Sequence, residues 1–160
     1  MTRWFEDIVV GESFPLGDHL FTEAEIIRFG KLYDPQYFHI DPETAKAGPF
    51  GGLVASGWHT ASMGHRLMVD ALDAEAERLR QRGEEPGVSG PSPGVDKAEF
   101  LAPVRPGDTI SYAMAVTGKR PSGSRPDWGL LFNTLEGANQ RGQTVYRADF
   151  VAFSKRRHLG

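Results

Sequence analysis

Cysteine is absent from the 160 residues, which excludes disulfides, thiolate metal sites and cysteine nucleophiles and makes the cytoplasm the expected compartment. No run approaches the roughly 18 apolar residues that a bilayer-crossing helix needs, and the opening MTRWFEDIVVGESF lacks the apolar core of a signal peptide. A soluble protein without a membrane partner is expected. Neither sign of charge dominates: 18 Lys and Arg stand against 21 Asp and Glu, a net charge of −3. That balance argues against a nucleic-acid binder. The small cluster Lys155, Arg156 and Arg157 reads as a solvated tail, with contact to a ligand phosphate as the second reading. The chain has no internal repeat and no low-complexity segment. Its five histidines show no ligand spacing with carboxylates, so no metal site is expected.

What is present fits a single domain spanning residues 1–160, with 39% apolar and 24% charged residues. Thr22 followed by Glu25 matches a capping box, and Ile26, Phe29 and Tyr33 recur at helical spacing, which predicts a first helix over 23–33. Asp41 and Pro42 supply an N-cap and a first-turn proline for a short helical piece through about 47. Between 57 and 82 there is no proline, and Gly64 is the one internal glycine. Ala61, His65, Met68, Leu72 and Leu79 mark one face there, which predicts the longest helix, buried in its first part and projecting into water after about Leu72. Gly83 is the expected stop.

The stretch EEPGVSGPSPG is a loop, and four strands follow it: VDKAEFL, DTISYAMAVTG, WGLLFNTLEG and QTVYRADFVAFSK. Ile110, Tyr112, Met114 and Val116 alternate, as do Tyr146, Ala148, Phe150 and Ala152, so antiparallel strands with one face on a core are predicted. PGD and NQRG are read as hairpin turns. The simplest assembly is an α+β fold in which the antiparallel sheet wraps around the apolar half of the long helix.

Chemistry concentrates in YDPQYFHIDP, residues 33–42. Asp34 and His39 are five residues apart, about 140° around a helix axis and on opposite faces of a strand. They can therefore meet only on irregular backbone, which Pro35 favours by disfavouring helix at Asp34. Both are expected outside the core. Read without their flanks, such a pair is more often a turn-forming acid and a surface imidazole than a catalytic one. Asp41 reads as an N-cap, His65 as a hydrogen-bonded core histidine, and His59 as a pocket or packing residue. Gly51 and Gly52 either admit a ligand closely or form a turn.

Together with FEDIVVGESF, DPQYFHIDPETAKAGPFGGLVASGWHTAS and FLAPVRPGDTI, this segment resembles the MaoC-like dehydratase and (R)-specific enoyl-CoA hydratase family, and the resemblance implies a single hotdog fold. Asp34, His39 and Asp41 match the family's D-x-N-P-x-H-x-D motif. Gln36 replaces its asparagine, Tyr37 its proline, and Ser56-Gly57 stands where His-Gly is frequent. The resemblance implies that Asp34 and His39 hold a water, that the Gly57 N–H binds a thioester oxygen, and that Ser56 and Ser62 lie near the substrate, with a bond to a backbone carbonyl in its own helix as the other reading of Ser62.

The implied function is reversible addition of water to a 2-enoyl thioester carried on CoA or acyl carrier protein. The implied form is a homodimer or higher homo-oligomer that needs no cofactor. A hotdog thioesterase and a non-catalytic acyl-thioester-binding subunit are the alternatives. Hydration requires a nucleophile at the β-carbon, a proton at the α-carbon, and stabilisation of charge on the thioester oxygen. A carboxylate–imidazole pair can move the proton, and a helix N-terminus can supply the stabilisation.

Overall fold

Two periodicities, one of 2 and one of 3.6, become one sheet and one long helix in a computed structural model that describes residues 3–157. The strands are β1 Ser13–Leu20, β2 Gly94–Phe100, β3 Thr109–Pro121, β4 Trp128–Asn139 and β5 Thr144–Lys155. They pair antiparallel throughout in the order β1-β3-β4-β5-β2. The helices are α1 Glu23–Tyr33, the single turns α2 Tyr37–Ile40 and α3 Pro42–Ala45, and the 25-residue α4 Gly57–Gln81. A short 3-10 turn, Phe5–Asp7, precedes them.

The expected sheet around a helix is found. Strict alternation along β4 turns Leu131, Asn133 and Leu135 inward. Phe21, Ile26, Met68, Ile110, Tyr112 and Leu135 join in the main core. Burying each such side chain stabilises the fold by about 1.5–3 kcal/mol. Gly64 sets how closely helix and sheet approach: a Cβ there would come within 2.7 Å of the Tyr112 ring. One turn earlier, the Tyr112 hydroxyl donates to the Thr60 carbonyl at 2.8 Å. Phe5, Ile8, Val116 and Leu131 form a smaller second cluster.

Several expectations are corrected. β1 was not among the predicted strands; Pro15 and Gly17 blur its alternation, and a register shift falls between them. PGD is no hairpin turn, because it joins β2 to β3 and these are not neighbours. Gly107 takes φ +88° there, and Asp108 accepts hydrogen bonds from the Arg105 N–H and the Gln140 amide, each at 2.8 Å. NQRG does turn β4 into β5, with Gly142 at φ +76°. The charged end of α4 keeps a buried stripe, Ala76 and Leu79, before Gly83 ends the helix at φ +75°.

His65 is exposed rather than core, since its place on the apolar stripe falls at the mouth of a cavity. The basic cluster is not a solvated tail either. Lys155 closes β5 with its ammonium 5.5 Å from the Trp128 ring. Arg156 and Arg157 pair with Glu6 and Asp7, which ties the end of the sheet to the first turn of the chain. No helix among the described residues is long and apolar enough to cross a membrane.

Candidate active site

The site is built where three short elements meet the start of α4. α1 ends at Tyr33, and Asp34 is its C-cap residue, with its N–H donated to the Gly30 carbonyl at 2.9 Å. The chain then turns through Pro35 into α2, which carries His39. Gly30 lets these two helices close on each other, because a Cβ there would lie 2.8 Å from the His39 carbonyl oxygen and 2.9 Å from the Ile40 side chain. The expectation of irregular backbone holds for Asp34 but not for His39, which sits within a helical turn. The break between the helices, not the absence of helix, brings the pair together.

His39 Nε2 lies 3.3 Å from Asp34 Oδ2. His39 Nδ1 is 2.7 Å from the Val54 carbonyl, which has no proton to give, so Nδ1 is the donor and Nε2 faces the acid. Asp34 Oδ1 accepts from the Gln36 amide at 2.9 Å, and Oδ2 accepts from the Ser56 hydroxyl at 2.7 Å. Burial pushes the Asp34 carboxyl up, but the Gln36 and Ser56 hydrogen bonds and the nearby His39 outweigh it and hold the group below its ordinary value of 3.8. The expectation that both side chains lie outside the core is corrected for His39, which is 6% exposed.

Ser56 is the N-cap of α4, its hydroxyl oxygen accepting from the Trp58 N–H at 3.2 Å. One hydroxyl thus starts the helix and fixes the acid, so Ser56 positions Asp34 instead of standing free for a ligand. Gly57 is the first helical residue, whose N–H has no partner within the helix. A Cβ at Gly57 would come within 2.7 Å of the Phe100 ring. All four residues line a cleft of about 470 Å³ whose apolar wall includes Phe38, Phe50, Trp58, Phe100 and Val104.

Ser62 is not among the residues lining this cleft, a correction to its expected place beside the substrate. Its hydroxyl donates to the Trp58 carbonyl at 2.7 Å on the exposed side of α4. Asp41 is an N-cap as expected, accepting from the Glu43 and Thr44 N–H groups at 3.0 and 3.1 Å. Gly51 and Gly52 take φ +66° and +156° in the turn that leads to the buried Leu53 and Val54.

The sequence spacing of histidines did not anticipate one group that the fold assembles. His19, Glu25 and His59 present ligand-type atoms within 4.8 Å of one another. The Thr22 capping box is accordingly only half made. Thr22 Oγ1 accepts from the Glu25 N–H at 3.3 Å, while the Glu25 carboxylate turns to His19 Nε2 at 3.1 Å and His59 Nε2 at 3.7 Å. His59 is buried and stacks on Phe29 at 4.5 Å, which is its packing role. Burial holds its imidazole below the ordinary value of 6.5, against the pull of Glu25. Gly30 and the double duty of Ser56 also went unread. The one sequence signal for Gly30 was a glycine inside a predicted helix, which usually marks a close approach.

Comparison with known proteins agrees with this architecture. Residues 10–127 match the family model described as MaoC like domain. The crystal structure of a MaoC-like dehydratase from Rhodospirillum rubrum superposes with a TM-score of 0.78 at 32% identity, covering 98% of this chain and 99% of that one. The 3-hydroxyacyl-thioester dehydratase Z of Mycobacterium tuberculosis is 28% identical over 141 residues, 84% of this chain and 87% of its own length. The protein YdeM of Bacillus subtilis is 26% identical over 151 residues, 94% of this chain and 98% of its own. A sheet curled about one long helix, a carboxylate–imidazole pair at that helix's tip and a family match across most of the sequence lead to one assignment: the chain belongs to the MaoC-like dehydratase family and has its hotdog fold.

Proposed function

We propose that the protein is a hydratase/dehydratase that adds water reversibly across a 2-enoyl thioester to give a 3-hydroxyacyl thioester. The observation that carries this reading is the 3.3 Å approach of His39 Nε2 to Asp34 Oδ2 inside a cleft that also contains the first N–H of α4. A water held by both groups loses its proton to one of them and attacks the β-carbon, and the α-carbon then receives a proton from the pair. Such acid–base help is worth roughly 100- to 10,000-fold. The Gly57 N–H, at the positive end of α4, meets the charge that develops on the thioester oxygen, and removing a donor of this kind costs about 3 kcal/mol of barrier.

Every proton in this scheme moves between side chain, water and substrate, so the proposal includes no metal or redox cofactor. The carrier is CoA or acyl carrier protein, the working form a homodimer or larger homo-oligomer, and the compartment the cytoplasm. The dehydratase name of the tuberculosis relative supports the reaction class. The test is to incubate the protein with short and medium 2-enoyl-CoA esters and to follow enoyl absorbance and free thiol together. Loss of absorbance without thiol is the expected result. Thiol release points instead to a thioesterase, and binding without either change to an accessory subunit.

A further inference from the structure

Three side chains outside the cleft converge from three different elements. His19 stands near the end of β1, Glu25 in the first turn of α1 and His59 in the first turn of α4. Both imidazoles face one carboxylate oxygen: Glu25 Oε1 is 3.1 Å from His19 Nε2 and 3.7 Å from His59 Nε2. The His19 and Glu25 side chains are 20% and 21% exposed, so the group is reached from the surface, while His59 is 2% exposed on its inner side.

An ion-pair network alone leaves His59 poorly served. Its Nδ1 has no hydrogen-bond partner, and the 3.7 Å from Nε2 to the carboxylate is longer than a hydrogen bond. Packing holds the ring instead: it stacks on Phe29 at 4.5 Å and meets the Phe21 ring edge-on at 4.9 Å. A buried polar group kept open in this way is unfavourable for folding alone, and a cation between the three side chains gives Nε2 the partner it lacks. The spacing suits such an ion. Ligand atoms about 2.0–2.2 Å from a tetrahedral metal lie about 3.3–3.6 Å from one another, and the two separations from Glu25 Oε1, 3.1 and 3.7 Å, bracket that range. All three ligand atoms lie within 4.8 Å of one another, so a small movement of the partly exposed His19 closes the remaining gap.

We propose that His19, Glu25 and His59 bind one divalent cation of the zinc class, and that this ion clips β1, α1 and α4 together. Two imidazole nitrogens and a carboxylate are donors that suit Zn²⁺ and its transition-metal neighbours, whereas Mg²⁺ and Ca²⁺ demand oxygen ligands. Three protein ligands leave one position of a tetrahedral ion for water. The ion takes no part in the hydration scheme above, and the inference does not depend on that scheme. Its consequence is structural: α1 ends at Asp34 and α4 begins at Gly57, so a clip across their first turns anchors the two helices that present the acid and the free N–H. The expectation of no metal site rested on spacing along the chain, which does not register ligands gathered from three separate elements.

The test is calorimetric titration of the whole protein, untagged and freed of metal by a chelator, with zinc chloride. One ion per chain is expected. Glu25→Gln and His19→Gln each remove a ligand at a partly exposed position and should weaken binding by at least about 10- to 100-fold, while His39→Gln leaves it unchanged. Magnesium chloride should give no comparable binding. With free zinc at about a hundred times the dissociation constant, the thermal unfolding midpoint of the parent should rise by about 5–10 °C, and those of the two ligand variants far less. Absence of binding, binding that survives in both ligand variants, or binding that His39→Gln alone abolishes overturns the proposal, the last by placing the ion on the Asp34–His39 pair. Binding without a rise in midpoint overturns the clip, since the ion is then held equally well by the unfolded chain.

Discussion

With Nδ1 of His39 donating to the Val54 carbonyl, the imidazole is held by one nitrogen and presents the other to Asp34. Substitutions at this residue therefore have two effects that can be separated. His39→Ala removes the proton-transferring nitrogen and also orphans a buried carbonyl, so it should lower stability by about 1–3 kcal/mol as well as activity. His39→Gln keeps a donor near Val54, and Asp34→Asn keeps the shape of the acid. Both should lose roughly 100- to 10,000-fold in hydration rate, with His39→Gln unfolding in urea close to the parent midpoint and Asp34→Asn at a lower one, because it lacks the stabilising carboxylate. Asp34 has a further consequence for pH. Its carboxyl is held below 3.8 in the folded state, so its contribution to stability is full above 3.8 and is lost as pH falls through the lower folded value. Urea midpoints measured down this acid range should drop more steeply for the parent than for Asp34→Asn. The sequence itself pointed to this pair, because the spacing and Pro35 exclude any regular element that could hold both residues. Nothing in the spacing revealed that Gly30 is the contact on which α2 rests, or that the Ser56 hydroxyl serves both helix and acid, because these depend on neighbours brought together only by the fold.

Elements were legible in proportion to how local their signals are. Alternation in β3 and β5, the glycine-poor run of α4 and the glycine at its end are properties of short windows, and each was found in place. β1 and the PGD turn were misread because their roles depend on partners far along the chain: β1 pairs with β3 about a hundred residues later, and PGD leads between strands on opposite parts of the sheet. The junctions between elements are the places to test. Gly64→Ala places a methyl 2.7 Å from the Tyr112 ring, so α4 must lift from the sheet or the ring must move, at a cost of about 1–3 kcal/mol in chemical denaturation. The α1–α4 junction responds to pH through His59, which faces Glu25, His19 and Arg28 and is kept below 6.5 chiefly by burial. Between that lower value and 6.5 the unfolded chain binds a proton that the folded one does not. Stability should therefore fall as pH is lowered from 6.5 and level off below the folded value. His59→Phe, which keeps a ring against Phe29, should remove that slope from a pH series of thermal unfolding midpoints.

At the scale of the whole molecule, the sheet has two edges, β1 and β2, and each carries a register shift, between Pro15 and Gly17 and between Val95 and Lys97, a common way of blunting an edge. β2 is the more exposed of the two, and among the described residues no strand pairs with its outer side. Beside that edge the apolar side chains of Trp58, Val95, Phe100 and Leu101 are 47–63% exposed, and Trp58 and Phe100 form part of the cleft wall. We propose that a second copy pairs through β2, which would cover this surface and at the same time wall the cleft, linking assembly to activity. With a two-fold axis at Ala98, Lys97 of one copy would lie opposite Glu99 of the other, and isologous symmetry would make the contact twice. These are the residues that pair within one chain at 2.9 Å. Lys97→Glu places like charges across the axis, and such cross-strand pairs are unfavourable. Sedimentation velocity should show a dimer for the parent, a shift toward monomer with a parallel loss of hydration for Lys97→Glu, and recovery of both when Glu99→Lys is added. A parent that sediments as a monomer and is fully active would remove β2 pairing from the account of the site. A dimer indifferent to the charge reversal would move the axis away from Ala98.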